Sequence, residues 1–267
     1  MASNPHPATV ETGTKRLVGS DRVLAVLVAL AERPEGATLD QLTQAVDSPK
    51  STVHRALASL RRANFAAQLG RGLYVVGDEF VRLALENQAA RPERLAIEPV
   101  LRRLSERFDE TAHYAVLDGT EVVYRAKVDP ASGSVRLTSV IGGRNPAYRT
   151  AVGKLLLSRL CHDRGELAAV VGRGPFAQPT ANTIGTLDGL WHELEVTRDR
   201  GWASDDQENE LGINCIAVPG RFGPGGAVSG AVSVSALAFR RPLKDLIDTV
   251  GEIRTIVDGP STGATGQ

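Results

Sequence analysis

Cysteine is nearly absent from this chain of 267 residues. Cys161 and Cys215 are the only two, too few for a disulfide framework or a Cys-rich zinc site. No apolar run reaches the length needed to span a bilayer, and the first residues are polar and Pro-rich without a signal-peptide pattern. A cytoplasmic location is the expectation. Net charge is also missing, with 31 Lys and Arg against 31 Asp and Glu. That balance excludes a protein that coats nucleic acid along its whole length. No short internal repeat is present, and the nucleophile signatures of hydrolases are absent. What remains is a globular composition, 42% hydrophobic and 23% charged, long enough for two domains and a sizeable core.

The zero total hides an asymmetry. Through residue 77 there are nine basic residues against six acidic ones, leaving 22 against 25 for the rest. A mildly basic small domain therefore precedes a mildly acidic large one, an arrangement suited to a DNA reader with a separate control domain. Within the basic part, Ser48-Pro49-Lys50-Ser51-Thr52-Val53-His54-Arg55-Ala56-Leu57-Ala58-Ser59-Leu60 predicts a helix. Ser48 is the expected N-cap and Pro49 the first helical residue. Val53, Leu57, Leu60 and Asn64 follow a 3.6-residue period, the first three making an apolar stripe. Ser51, Arg55, Ala58, Ser59 and Arg62 face the other way. That face is small, polar and basic, and the small Ala58 at its centre lets a duplex approach.

The neighbours fit. Residues 1–16 predict a disordered tail, and Ser20 is the expected cap of a helix running to about Glu32. Pro34 and Gly36 break it, and Thr38 starts a second short helix. After the long helix, two short strands flank Gly70-Arg71-Gly72, with Arg71 at the tip. Helix, helix-turn-helix and hairpin make a winged helix-turn-helix over 17–77. Residues 78–91 predict a linker helix. From Pro92 to 258 an α+β domain is expected. Its elements are a helix from Pro92, strands at 112–117 and 121–128 around Asp118-Gly119, and a strand at 135–141. A loop at 142–146, helices near 149–160, 163–171 and 186–200, strands at 214–219 and 227–235, and one helix from Pro242 to about Val257 complete it. Residues 259–267 predict a second disordered tail.

In this setting Lys50 lies where helix N–H groups favour a phosphate, and His54 flanks the same face. Ser51, Arg55 and Ser59 can reach base edges, with Thr52, Arg62 and Arg71 completing the candidate DNA contacts. The competing reading is a solvated amphipathic helix; the preceding helix and the following wing weigh against it.

Other constellations have bland readings. Cys215, on an apolar strand, reads as a small buried hydrophobe lining a pocket, ahead of a reactive thiol. Asp205, Asp206, Glu208 and Glu210 read as a solvated turn ahead of a metal cluster, since no His stands near them. Ala151-Val152-Gly153-Lys154 lacks the upstream glycines of a phosphate loop. Gly223-Pro224-Gly225-Gly226 is a hairpin loop, not a dinucleotide site. His113, on a strand, reads as a structural or pocket-rim residue. No catalytic residue, cofactor or metal is expected.

The order of Gly19-Ser20, the Ser48 to Arg55 stretch, the short wing and the linker helix resembles the isocitrate lyase regulator (IclR) family of bacterial transcription factors. The second half agrees in Glu110 to Gly119, in Ile141 to Pro146 followed by Thr150 to Lys154, in Gly201 to Glu208 and in Gly212 to Ala217. The resemblance spans about residues 19–257. It implies a homodimer or dimer of dimers, a palindromic DNA operator, and a GAF-like domain holding a small, usually anionic, metabolite. Carried over by motif, the effector positions are Leu137, Asn145, Ala151, Val152, Asp205, Ile213, Cys215, Ser233 and Ser235. The chemistry of these residues fits. Ala151 and Val152 open a helix, so their N–H groups can receive a carboxylate. Ser233 and Ser235 alternate to one face of a strand. Asp205 can accept a hydrogen bond, and Leu137 and Ile213 supply apolar walls. Asn145 departs from the apolar residue expected there, and Tyr148 and Arg149 are bulkier than usual; both point to a more polar effector. The expectation is a ligand-controlled transcriptional regulator. The alternatives are a cysteine-dependent enzyme or thiol sensor using Cys215, and an interaction protein whose winged helix packs on protein.

Overall fold

The computed structural model of the chain describes residues 19–70, 72–89, 92–131 and 137–259. Arg71 at the wing tip, the predicted tail 1–16 and residues 260–267 of the second tail lie outside them. The chain separates into two compact units, 1–91 and 92–267.

The first unit contains α1 (Ser20–Ala31), β1 (Ala37–Thr38), α2 (Leu39–Ala45), α3 (Lys50–Arg62), β2 (Ala66–Leu69), β3 (Leu73–Val76) and α4 (Asp78–Ala89). Its strands form a small antiparallel sheet in the order β1-β3-β2. The apolar stripe of α3 is buried as its spacing predicts: Val53, Leu57 and Leu60 join Val26, Leu30 and Leu42 in one core. Thr38 caps α2 in a full capping box with Gln41.

Two predicted caps are corrected. Ser20 lies inside α1, with Gly19 at the cap position and no side-chain cap. Ser48 does not cap α3; its buried hydroxyl donates to the Val46 carbonyl at 3.1 Å. The carbonyl of Pro49 instead receives the N–H groups of Thr52 and Val53. What sets the turn before α3 is Asp47, at φ 43. Its N–H bonds the Gln44 carbonyl and the next N–H, of Ser48, bonds that of Thr43, the paired pattern of a Schellman motif. Asn64, read from the sequence as the end of the apolar stripe, does the same at the far end of α3. It sits at φ 56 and the N–H of Phe65 bonds the Leu60 carbonyl at 2.8 Å.

The second unit contains α5 (Pro92–Phe108), β4 (Thr111–Asp118), β5 (Glu121–Val128), β6 (Arg144–Pro146), a 3-10 turn (Ala147–Arg149), α6 (Ala151–Leu160), α7 (Arg164–Val171), α8 (Leu187–Arg200), β7 (Ala203–Asp206), β8 (Ile213–Gly220), β9 (Gly230–Leu237), α9 (Leu243–Asp248) and α10 (Val250–Asp258). Six strands pair antiparallel in the order β6-β5-β4-β9-β8-β7. Alternation assigns the faces. Val232, Val234 and Ala236 of β9 pack with Leu101 and Leu104 of α5 and Ile253 of α10. Ala231 and Ala217 point the other way, into a core with Leu155 of α6 and Leu190 and Leu194 of α8. The unit is an α+β fold with helices on both faces of one sheet.

Four predicted elements shift. The β4–β5 loop is Gly119-Thr120, one residue later than expected, because Asp118 pairs with Glu121 and Gly119 takes φ 62. Residues 137–141 form no strand. The Lys127 ammonium takes the carbonyls of Leu137 and Ser139, at 2.9 and 2.8 Å, that a sheet would use. The edge strand is β6, inside the predicted loop; residues 132–136 of the predicted strand lie outside the described ones. The last helix is two, α9 and α10, because the N–H and hydroxyl of Thr249 both bond the Leu246 carbonyl. The acidic run expected as a solvated turn contributes β7, with Asp205 and Glu208 both buried.

Gly153 fixes how α6 sits. An added Cβ would lie 2.1 Å from the Ala147 carbonyl oxygen, so α6 touches the 3-10 turn backbone directly. Gly251 in α10 has open space around its Cβ direction. Gly153→Ala should therefore destabilise the unit by about 1–3 kcal/mol through overpacking. Gly251→Ala should instead stabilise it by about 0.4–1 kcal/mol. Urea unfolding of both variants checks the opposite signs.

Candidate functional site

In α3, Lys50, Ser51, His54, Arg55 and Arg62 are exposed, while Thr52 and Ser59 are half-buried. The helix carries Lys50, Arg55, Arg61 and Arg62 and no acidic residue. Arg61 is also exposed and was missed, because helical spacing puts it between the dry and the outward face. Lys50 Nζ pairs with Asp40 Oδ1 at 2.6 Å, with both side chains largely exposed. Arg62 donates to the Ser59 hydroxyl at 3.1 Å, and Arg55 reaches the Ser51 carbonyl at 3.4 Å. These are weak, solvent-screened contacts that a phosphate or a base edge can replace.

The second unit holds a cavity of about 280 Å³. The nine effector positions carried over by motif all line it. Sheet register explains much of this. Asp205, Cys215 and Ser235 are successive cross-strand neighbours on β7, β8 and β9, and Ser233 sits opposite His113 of β4. Leu137 comes from the segment after β5, Asn145 from β6, Ile213 from the start of β8, and Ala151 and Val152 from the first turn of α6. The Thr150 hydroxyl caps that helix by accepting from the Gly153 N–H at 3.0 Å. The N–H groups of Ala151 and Val152 bond no described residue. They form a pair of donors at the positive end of the α6 dipole.

Sequence reasoning left out Tyr124 and Asn209 and placed His113 only as a structural or rim residue. His113 is a buried part of the wall. Its Nε2 meets the Ser139 hydroxyl at 2.8 Å, its Nδ1 meets Ser235 at 3.5 Å, and its ring lies 5.0 Å from that of Tyr124. The one signal for it was its polar side chain in phase with Ala115 on an otherwise apolar strand.

Burial controls the charges. It pushes His113 down to about 3, helped by the Lys127 ammonium, so the imidazole stays neutral. Burial first, then the Glu208 carboxylate, pushes Asp205 up to about 7. Its Oδ1 accepts from the backbone of Glu208 at 2.7 Å and of Asn209 at 3.4 Å. Burial, then Asp205, pushes the Cys215 thiol well above its ordinary value. A thiol held protonated is a poor nucleophile, and nothing favours the cysteine alternative. Below the cavity, the buried Lys154 of α6 donates to the Glu208 carboxylate, and Thr183 donates to the Glu208 carbonyl at 2.6 Å. Among the described residues no group of three or more His, Cys, Asp or Glu could hold a metal ion. No described helix is long and apolar enough to cross a membrane.

A winged helix-turn-helix with a basic outer helix, followed by a separate α+β unit, defines a DNA-binding regulator. Family models agree: the IclR helix-turn-helix domain matches residues 20–70, and the bacterial transcriptional regulator IclR C-terminal domain matches 94–262. The chain belongs to the IclR family of bacterial transcriptional regulators and is not an enzyme. It is 34% identical over 224 residues to the HTH-type transcriptional regulator KdgR of Dickeya chrysanthemi, covering 82% of this chain and 70% of that protein. A solved transcriptional regulator from Rhodococcus sp. RHA1 superposes with a TM-score of 0.74 at 29% identity, over 89% of this chain and 94% of that one. An IclR homologue from Microbacterium hydrocarbonoxydans, solved with 4-hydroxybenzoate, shares the fold at a TM-score of 0.72 and 22% identity, over 89% of this chain and 98% of that one.

Two of the buried titrating groups, His113 and Asp205, tilt stability in opposite directions. With His113 near 3 when folded and about 6.5 when unfolded, the unfolded state takes up the proton first and stability falls as pH drops below about 6.5. With Asp205 near 7 when folded and about 3.9 when unfolded, the folded state keeps its proton longer and stability falls as pH rises from about 4 to 7. Asp205→Asn keeps the Oδ1 acceptor and removes one falling contribution, burial having raised the Glu110 and Glu208 carboxyls as well. From about pH 4.5 to about pH 6.5 its urea midpoint should therefore rise relative to that of the wild type. In His113→Gln the midpoint should fall over the same window. Parallel slopes in the two variants would refute the assignment.

Proposed function

We propose that the chain works as a symmetric dimer, or dimer of dimers, whose DNA affinity is set by a small hydroxylated carboxylate in the cavity of the second unit. The protein would act in the cytoplasm. The observation that carries this reading is the pair of free N–H groups at Ala151 and Val152 beside that cavity. They suit a carboxylate. Around the same space Ser233, Ser235, Asn145, Tyr124 and Asp205 offer hydroxyl, amide and carboxyl partners, while Leu137 and Ile213 supply apolar wall. The volume suits a small ligand. Because Asp205 sits near 7, it can donate or accept at neutral pH. That inventory favours a hydroxyl-bearing acid over a plain short one, in keeping with Asn145.

Two exposed apolar pairs support self-association. Leu24 and Val28 of α1, and Val81 and Leu85 of α4, each lie four residues apart and remain at least 45% exposed, the spacing of one helix face. A two-fold dimer would present two α3 helices to a palindromic operator, one per major groove. Lys50 and His54 would hold phosphates, with Ser51, Thr52, Arg55, Ser59 and Arg62 toward the bases. Arg71, outside the described residues, belongs to the same proposed surface. An effector that binds one arrangement of the two heads more tightly shifts the population toward it.

The ligand side is tested by thermal shift with a panel of plain and hydroxylated carboxylates. A ligand at 100 times its Kd stabilises by about 2.7 kcal/mol. Ala151→Pro removes one N–H at a position where proline suits a helix, and Thr150 before it is already extended. This variant should keep its own melting temperature and lose most of the ligand shift. A full shift in Ala151→Pro, or no shift with any acid, defeats the reading. On the DNA side, Arg55→Ala should cost about 1–3 kcal/mol and relax base preference at one position. Lys50→Ala should weaken all duplexes alike and lower the salt slope by about 1. Fluorescence anisotropy on the chain's own upstream region and on random duplex, across a salt series, separates the two.

A further inference from the structure

A second cavity in the 92–267 unit, of about 310 Å³, shares no residue with the first. It is lined by Arg159 near the end of α6, Arg221 just after β8, and Arg254 and Asp258 of α10, over a floor that includes Val218 and Val257. Three guanidinium groups thus face one carboxylate, in the half of the chain where acids outnumber bases.

The other arginines of this unit are mostly committed. Arg198 donates to the carbonyls of Ser158 and Cys161, Arg200 to that of Trp202 and to Glu193, and Arg240 to Glu110. The cavity arginines are not equally committed. Arg254 spends one N–H on the Arg200 carbonyl at the end of α8. Gly201 leaves room for it, since a Cβ there would lie 2.7 Å from the guanidinium. Arg221 reaches Asp258 only at 3.7 Å, with both half exposed. Arg159 forms no hydrogen bond or ion pair with any described residue. Guanidinium stays charged at any physiological pH, and its planar fork matches carboxylate and phosphate oxygens two at a time. Like charges brought together from three separate elements repel one another, and an anion between them relieves that repulsion.

We propose that this cavity is a second ligand site, for a small multiply charged oxyanion such as a phosphate-bearing or polycarboxylate metabolite. Arg159 and Arg221 grip the ligand, and Arg254 completes the cationic wall while capping α8. Asp258 offsets part of the charge, so at least two negative charges are needed to fill the site. The location carries a regulatory consequence. Arg159 and Ala151 lie on one helix, α6, eight residues or about 12 Å apart. An oxyanion at one end therefore acts on the rod whose other end borders the first cavity, and any coupling between the two is reciprocal.

The test is isothermal titration of the full chain with inorganic phosphate, pyrophosphate and citrate, at ionic strength held constant with chloride. Arg254 is left intact because it caps α8. At least one probe should bind at one arginine-dependent site per chain; citrate, itself a hydroxylated carboxylate, is scored only by the binding that Arg159→Gln and Arg221→Gln remove. Arg159→Gln and Arg221→Gln should each weaken it at least tenfold, and Arg173→Gln, at an exposed arginine outside both cavities, should leave it unchanged. Citrate alone binding assigns a polycarboxylate; phosphate or pyrophosphate alone binding assigns a phosphate-bearing ligand. Equal affinity in wild type, Arg159→Gln and Arg221→Gln overturns the proposal, as does the absence of binding by all three probes. A changed oligomeric state in the variants with unchanged anion binding also overturns it, and assigns the arginines to a contact between copies of the chain.

Discussion

The strict alternation of side chains along the two central strands is the constraint on which the second unit depends. On β9, Val232, Val234 and Ala236 all enter the core against α5 and α10. Their neighbours Ser233 and Ser235 are thereby obliged to face the other layer. There α6 and α8 cannot close over the whole sheet, because hydroxyls, an imidazole and a carboxyl occupy part of it. The cavity is the unfilled part of a layer whose other part is the apolar core around Leu155, Leu190 and Ala217. A slip of one residue in the β4–β9 register would bury Ser233 against α5 and expose Val234 to the cavity, losing core and site together.

Position in that layer is enforced by a few buried polar contacts. Lys154 is almost fully buried and binds the Glu208 carboxylate. The Glu208 backbone N–H in turn holds Asp205, so an ion pair joins α6 to the turn that presents the cavity's carboxyl. Breaking one partner of such a pair leaves an uncompensated buried charge, which is more damaging than replacing both. In the segment after β5, Lys127 holds the Leu137 and Ser139 carbonyls. Two buried or half-buried lysines thus keep the irregular backbone around the cavity in place.

Much of this could be read from the chain, and most of the misses share a cause. The dry face of α3 followed from Val53, Leu57 and Leu60, because helical period and burial coincide there. The two serines of β9 were legible because a period of two is hard to mistake. Ser48 was misread as a cap because a hydroxyl before a proline has two backbone partners within reach, and tertiary burial chose Val46. The segment 137–141 has strand propensity, yet Lys127, about ten residues upstream, takes its carbonyls. Asp205 and Glu208 look like solvated acids, and only the arrival of Lys154 from another helix makes their burial tolerable. His113 and Tyr124 entered the cavity through sheet register, which one sequence does not display. Apart from Ser48, whose partner lies two residues away, a partner distant in the chain outweighed a local preference.

The turns that bracket α3 bear on how the regulator meets its target. Asp47 and Asn64 both hold left-handed backbone without being glycine, a conformation that asparagine and aspartate tolerate and that costs most other residues about 1–2 kcal/mol. Glycine in either place would reach the same turn with a more flexible unfolded chain and a looser joint. The recognition element is thus clamped at both ends before any duplex arrives. Little ordering entropy is then lost on docking. In the dimer proposed above, a wrongly spaced pair of half-sites could not be accommodated by bending within the head, so discrimination by spacing would fall to whatever sets the distance between the two heads.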